Sequence, residues 1–382
     1  MSETIIPSQR HLFSIPRDLA YFNCAYLSPQ LNSASRAAAA GAKIKQSPWN
    51  ISSDDFFDGP EKARSLFADI VGCAAENIAL VPSVSYGVAI VGKNLQPDAG
   101  QRIVMLAEQF PSNVYSWLSL ARERDLVIDF VQKTEGRSWS ESVLESLHEP
   151  AALVALPNVH WTDGSLIDLA PIARRCHAMG AKLVLDLTQS LGVMRVDIAE
   201  LDPDFIFCAA YKWLLCPYGS GFVYAAPRWH DARPLEEAWI NRAGSEDFAG
   251  LVNYRDDYQA GARRFDAGGR GQFQQWPVVI ETLRQILEWG VDNIARTVSL
   301  TGAKIAAGAA RLGLEVPEPH APHLLGIRLT GGPPADLLGK LRADGVYLSQ
   351  RGSRLRIASY LYNDDEDVER LLVALERHLQ TK

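Results

Sequence analysis

The chain has no stretch approaching eighteen uninterrupted apolar residues; the candidate region, 67–91, is broken by Asp69, Glu76, Asn77 and Pro82. That excludes a membrane-spanning helix. It also lacks any block of like charge longer than Asp364-Asp365-Glu366-Asp367, and its net charge is −7. Nucleic acid, which needs a basic run or face, is not an expected partner. Cysteine is scarce and without pattern: Cys24, Cys73, Cys176, Cys208 and Cys216 are odd in number, widely spaced and free of a C-x-x-C pair. They read as reduced thiols of a cytoplasmic protein. The opening MSETIIPSQRHLF carries a Glu where an export signal places positive charge, and no apolar core follows, so no export is expected.

Familiar cofactor signatures are missing as well. No G-x-G-x-x-G follows a strand, since Gly219-Ser220-Gly221 runs straight into an apolar strand, and nicotinamide and flavin lose their usual signal. The segment from Gly87 through Gly92-Lys93-Asn94 nearly matches a triphosphate loop but ends in Asn94, which has no hydroxyl for magnesium. Its apolar interior reads as a buried helix. His320 and His323 are separated by Ala321-Pro322 with no third ligand nearby, so no metal is expected and a loop is the reading there.

What remains is an ordinary globular composition, 47% hydrophobic and 22% charged over 382 residues. That length exceeds what one core usually serves. Short apolar runs at 103–107, 126–131, 152–156, 182–186, 204–208 and 221–225 read as buried strands. Between them, 113–123, 140–147 and 167–179 carry apolar residues at helical steps, the last followed by Gly180 as a stop. This alternation predicts an α/β fold with a mostly parallel sheet and a ligand crevice at the carboxyl ends of its strands. From Trp276 the texture changes to a long helix reaching about Leu312, strands at 326–329 and 354–358 around a helix at 334–342, and a last helix at 366–379. The expected division is an N-terminal segment 1–20, a large cofactor-binding domain 21–275 and a small C-terminal α+β domain 276–382.

Two residues stand out at that crevice. Asp186 ends the strand 182–186, and Lys212 follows the strand 204–208, so both emerge at one sheet edge. A Lys among Phe207, Ala209, Trp213 and Leu214 is desolvated, which lowers its pKa and makes its amine a nucleophile toward an aldehyde. A carboxylate in the same crevice can hold a protonated ring nitrogen, and that pair is what pyridoxal phosphate requires. From spacing alone Asp186 reads equally as a strand-end cap and Lys212 as a snorkelling surface amine. Ser83, Val84 and Ser85 offer hydroxyls and backbone N–H groups just before a helix, as a phosphate site or as an N-cap. Arg356 suits a substrate carboxylate, though from the residues alone the surface of an edge strand is the favoured reading.

Taken together, these motifs resemble the class V aminotransferase superfamily of fold type I pyridoxal-phosphate enzymes, over nearly the whole chain from Tyr21-Phe22-Asn23-Cys24-Ala25 onward. The carriers are Pro157-Asn158-Val159-His160-Trp161, Asp186-Leu187-Thr188-Gln189, Tyr211-Lys212-Trp213 and Leu355-Arg356-Ile357. The resemblance implies a large domain with a mostly parallel central sheet, a smaller C-terminal α+β domain, and a homodimer with active sites at its interface. It implies Lys212 as the Schiff-base lysine, Asp186 on the pyridine nitrogen, and Gln189 and Asn158 near the ring hydroxyl. Phosphate contacts would come from Ser83, Val84, Ser85 and Tyr211, and across the dimer from Gly268 and Gly269. Phe110 takes the position that stacks on the ring, a pattern similar to kynureninase and isopenicillin-epimerase-like members. Arg356 would bind the substrate carboxylate, Arg270 a second anion, and His160 is a further substrate candidate beside Trp161.

One departure bears on the reaction. Relatives that remove sulfur carry a nucleophilic Cys before the carboxylate-binding Arg, whereas here 346–355 contains none. Aminotransferase is therefore the expected activity on an amino acid substrate and cysteine desulfurase is not. A lyase, epimerase, kynureninase-like hydrolase or non-catalytic binding relative are the alternatives.

Overall fold

The computed structural model describes residues 4–329 and 331–379. Its centre is a seven-stranded sheet, in spatial order Ile78–Val81, Gly221–Ala225, Phe205–Ala209, Lys182–Asp186, Leu153–Leu156, Arg102–Leu106 and Val127–Val131. Neighbours run parallel except around Gly221–Ala225, which is antiparallel to both of its partners. Successive side chains of a strand point to opposite faces, and here both faces are covered. Ile206 and Cys208 enter one core while Phe205, Phe207 and Ala209 enter the other; Leu183 and Leu185 part from Val184 in the same way. That double burial is why these strands read as unbroken apolar runs.

The six strands expected between 103 and 225 are present, two with the bounds as read, two shorter by a residue at one end and two shifted by one residue as a whole. The crossover helices follow as Tyr115–Arg124, Trp139–Ser146 and Leu169–Met179. Ser138 and Glu141 close a reciprocal capping box on the second, and Gly180, at φ +75°, ends the third. The near-triphosphate segment is part of the helix Val84–Asn94, in keeping with the buried-helix reading. The strand Ile78–Val81 was not foreseen, because a four-residue apolar run carries no periodicity that separates strand from buried helix.

The C-terminal part corrects two expectations. The long helix from 276 is two helices, Gln275–Trp289 and Val291–Arg311, broken at Gly290 with φ +76°. Trp276, Leu283, Ile286 and Val298 pack into the core of the large lobe, while Ile305 and Ala309 enter that of the small one. The division in packing thus falls inside Val291–Arg311 rather than at 276. Of the N-terminal residues, Phe13 packs into the large lobe's core, while Ala20 joins the small lobe's core and pairs with Val346. The small lobe carries the antiparallel strands Leu324–Arg328, Ser349–Arg351 and Arg354–Ala358, with Arg354–Ala358 in the middle.

Helix Val84–Asn94 lies hard against the sheet at Gly87, where a Cβ would sit 2.6 Å from Phe207 Cδ1 and 2.8 Å from Val223 Cγ2. Gly87→Ala forces that helix off the strands, and overpacking of this kind costs about 1–3 kcal/mol. Equilibrium urea unfolding should show that loss; an unchanged midpoint and slope would contradict the close contact.

Candidate active site

A cleft of about 790 Å³ opens at the carboxyl ends of the parallel strands. The connections leaving each strand build it. Ser83, Val84 and Ser85 enter it from the start of Val84–Asn94, Phe110 from the turn after Arg102–Leu106, Asp186 from its own strand end, and Tyr211 and Lys212 from the turn after Phe205–Ala209. Gln189 lines it too. Ser83 is the N-cap of its helix, its hydroxyl accepting from the Tyr86 N–H at 3.2 Å, so the cap reading holds. The first-turn N–H groups of that helix, with the positive end of its dipole, still face the cleft.

Lys212 is buried in the cleft, with Nζ 5.5 Å from the centroid of the Phe110 ring and 5.7 Å from that of Tyr211. Burial lowers its pKa to about 8; Asp186 opposes the shift and Arg356 adds to it. Asp186 is buried as well, and burial raises its pKa against the Thr188 hydrogen bonds and the attraction of Lys212. The two charges share a cleft without an ion pair joining them among the described residues, so each is left open to a third group. Gly192, at φ +96°, lets its loop pass the Lys212 segment, since a Cβ there would lie 2.7 Å from the Trp213 carbonyl.

Arg356 sits at the edge of this cleft on the small lobe. It is 1% exposed, donates from Nε to Ser349 Oγ at 3.1 Å and from Nη1 to the Trp161 carbonyl at 2.9 Å, and Trp161 lines the cleft. Its Nη2 is buried without a hydrogen-bond partner. A buried donor left unpaired is costly. Burial, with Arg351 second, lowers its pKa to about 9. Asn158 borders the cleft between the lining residues Pro157 and Val159, and its Oδ1 accepts from Ser190 Oγ at 2.6 Å. Gln189 faces the cleft with its amide already engaged: Trp213 Nε1 donates to Oε1 at 2.9 Å and Nε2 donates to the Ala25 carbonyl at 3.3 Å.

Other expected site residues lie elsewhere. His160 is buried behind the cleft, stacked on Trp139 at 5.1 Å, and both of its nitrogens are occupied, by the Ala107 carbonyl and the Thr162 hydroxyl. It does not line the cleft and packs as a strut behind it; burial lowers its pKa. Arg270 is likewise buried, bonded to Asp266, to Gln259 Oε1 at 3.1 Å and to the Ile240 carbonyl at 3.4 Å, in a cluster where Arg64 also holds Asp266. That guanidinium is committed to an internal carboxylate and does not reach this cleft. Gly268 donates its N–H to Glu236 at 2.7 Å, and Gly269 is exposed at φ +68°; neither lines the cleft of its own chain. His323, half of the pair set aside as a loop, is buried beneath the site and donates to the Gln189 carbonyl at 2.6 Å.

Sequence reasoning passed over Thr188 and Tyr218 as site residues, though both line the cleft, as does Trp161. Thr188 had a readable signal: two positions after Asp186, its N–H donates to Asp186 Oδ1 at 3.1 Å in an Asx-type turn, and its hydroxyl accepts from the Ala209 N–H. Tyr218 stacks on Tyr211 at 4.6 Å and is 77% exposed, which nothing local in the sequence announces.

A seven-stranded, largely parallel sheet with a buried lysine and carboxylate at its carboxyl edge defines a class of cofactor-dependent enzymes, and the comparisons give the class its family. The chain matches the aminotransferase class-V family over residues 50–371 and belongs to it. It is 26% identical to an uncharacterised aminotransferase, YcbU, of Bacillus subtilis (strain 168), over 81% of this chain and 80% of the relative. It is 25% identical to isopenicillin N epimerase of Streptomyces clavuligerus, over 82% and 83%. Among solved structures, the apo cysteine desulfurase of Thermococcus onnurineus NA1 superposes with a TM-score of 0.84 at 19% identity, over 99% of both chains, a likeness of fold.

The family's cofactor is pyridoxal 5'-phosphate, and the residues present fit it. Anion donors stand at the start of Val84–Asn94, a flat apolar ring at Phe110, an unpaired buried carboxyl at Asp186, and an amine of lowered pKa at Lys212. That last property sets a pH dependence. Below pH 8 the Lys212 amine is protonated and cannot attack an aldehyde; above it the neutral form dominates. Capture of pyridoxal phosphate by the apo-protein, followed by absorbance, should therefore rise with a midpoint near pH 8 rather than near the ordinary 10.5 of a lysine. A midpoint near 10.5 would mean that Lys212 is solvated.

Proposed function

We propose that the chain is an aminotransferase acting on an amino acid, with Lys212 as the cofactor-bearing and proton-moving residue. The observation that carries this reading is the convergence of Lys212 and Asp186 on one cleft, beside which Arg356 bonds the carbonyl of the lining residue Trp161 and keeps a buried Nη2 without a partner. When bound, the cofactor supplies an aldehyde for an amine and an electron sink for charge that develops at the substrate α-carbon. Asp186, buried where the cofactor's ring would lie, would face the ring nitrogen and hold its proton. Thr188 keeps the carboxylate in place through its backbone donor. Lys212 would take the α-proton as general base, its pKa of about 8 suiting it to give the proton back at neutral pH. Arg356 fixes the substrate carboxylate, and so the face from which that proton leaves. Phe110 and Trp161, edge to face at 5.3 Å, wall the site with apolar surface and exclude water.

Sulfur transfer finds less support. None of the five free thiols lines the cleft, four are buried, and burial raises the pKa of all five. Transfer of sulfur to an enzyme cysteine as a persulfide needs an accessible thiolate. A second reading, epimerase or kynureninase-like lyase chemistry, is favoured by Phe110 at the ring position and by the likeness to isopenicillin N epimerase. A homodimer in the cytoplasm completes the proposal: Trp49, Val252 and Tyr254 are 78%, 78% and 99% exposed, apolar surface of the kind an interface covers, and the reduced thiols suit that compartment. The test is keto-acid dependence. An aminotransferase converts its amino acid only stoichiometrically until a keto acid is added. Continuous turnover without one, with release of ammonia or racemised substrate, would favour the second reading.

A further inference from the structure

We propose that Arg351 is a second anion-binding group of the substrate site, and that the substrate is an amino acid whose side chain ends in a carboxylate. This rests on the amino-acid reading above and adds a substrate class to it. It starts from strand register. Across the antiparallel ladder Ser349 pairs with Arg356 and Arg351 with Arg354. Directly opposed residues share a face and alternation returns every second residue to it, so Arg351, Arg354 and Arg356 stand together on one face of the small sheet. Like charges placed directly opposite each other in a ladder are destabilising, so this arrangement is not one that folding favours by itself.

Among the described residues only one carboxylate pairs with any of the three cations. Asp163 pairs with Arg354 at 3.1 Å. Among the described residues neither Arg351 nor Arg356 has an ion pair, and the hydrogen bond of Arg351 goes to the carbonyl of its own neighbour, Gln350, at 2.7 Å. The bound group that Arg356 awaits is the α-carboxylate. Arg351 is left over, and the cofactor's phosphate does not account for it, because that group has its donors at the start of Val84–Asn94.

Trp161 links the two arginines. Its carbonyl accepts from Arg356, while its ring, which lines the cleft, lies 5.6 Å from the guanidinium carbon of Arg351. A guanidinium over an aromatic face is held flat and keeps its fork of N–H donors available for a planar carboxylate. A substrate held by Arg356 therefore has, along the Trp161 wall, a preoriented second partner for an anion. The surplus charge is felt through the site: Arg351 lowers the pKa of both Arg356 and Lys212, and its own is lowered by burial with only Tyr26 opposing. An anionic side chain relieves that repulsion, and its uncharged amide analogue does not.

The test uses the cofactor-loaded enzyme, titrated with L-glutamate against L-glutamine and with L-aspartate against L-asparagine, read by the cofactor's visible absorbance. L-alanine serves as the control for amino-acid binding in general. In at least one pair the acid should bind tenfold or more tightly than its amide. That ratio, taken within each protein so that general losses cancel, should fall to about one in Arg351→Gln and be partly kept in Arg351→Lys. Equal binding of acid and amide overturns the inference, as does a preference that survives Arg351→Gln. Tight, Arg351-dependent binding of O-phospho-L-serine with no preference in either carboxylate pair overturns the carboxylate assignment. A visible band that responds to L-alanine without any acid preference sinks only this inference; absence of the band sinks the amino-acid reading beneath it as well.

Discussion

Lys212→Ala is expected to yield a folded protein that no longer forms a covalent, visibly absorbing complex with pyridoxal phosphate and whose turnover falls by at least about 10³-fold. Two roles disappear together, the nucleophile that anchors the cofactor and the base that moves the α-proton, and general base catalysis alone contributes about 10²–10⁴-fold. Stability should not suffer. The Lys212 amine is buried between aromatic rings with a pKa lowered to about 8, so folding already works against its charged form. Removing it takes a desolvated cation out of the cleft, and the thermal midpoint of the apo-protein should hold or rise. That separates loss of chemistry from loss of fold. Turnover within tenfold of the unaltered enzyme would mean that another group does this work.

Arg356→Ala is expected to raise the KM for the amino acid by about 10²-fold, the loss of a charge-assisted contact to a carboxylate of about 2–3 kcal/mol. Arg356→Lys should recover little of it. A single ammonium cannot at once hold the Trp161 carbonyl and Ser349 Oγ and present a second N–H to substrate, as the planar guanidinium does. Steady-state kinetics decide the point, together with the spectrum of the bound cofactor. A purely structural Arg356 would change stability and cofactor retention while leaving KM alone, and full recovery in the lysine variant would show that charge without geometry suffices.

Much of this arrangement was legible in the chain because several levels of the sequence agree. The run Lys182–Asp186 is apolar up to a terminal carboxylate, and Phe205–Ala209 is apolar up to the turn that carries Lys212, so strand assignment and site assignment are one inference. Arg356 was read for a different reason, its place in Leu355-Arg356-Ile357, which matches the carboxylate-binding position of the family that the chain resembles. Side-chain partners were harder to read. Arg270 looks like a free cation in a glycine-rich loop, and within the chain Asp266 and Gln259 bond to it. His160 beside Trp161 looks like a site pair, yet its stacking partner, Trp139, lies on a preceding helix. Gly290 falls within a continuous helical pattern, and only its left-handed backbone turns the chain there. The face shared by Arg351 and Arg356 needs a strand register that no local pattern supplies.

The central claim is that Lys212 alone carries the cofactor. Its most direct test is borohydride reduction of the cofactor-loaded protein followed by mass mapping of its peptides. The expected result is a single reduced pyridoxyl-phosphate adduct on Lys212, absent from Lys212→Ala. A stoichiometric adduct on another lysine, such as Lys182 or Lys93, or no adduct after incubation with excess pyridoxal phosphate, would contradict it.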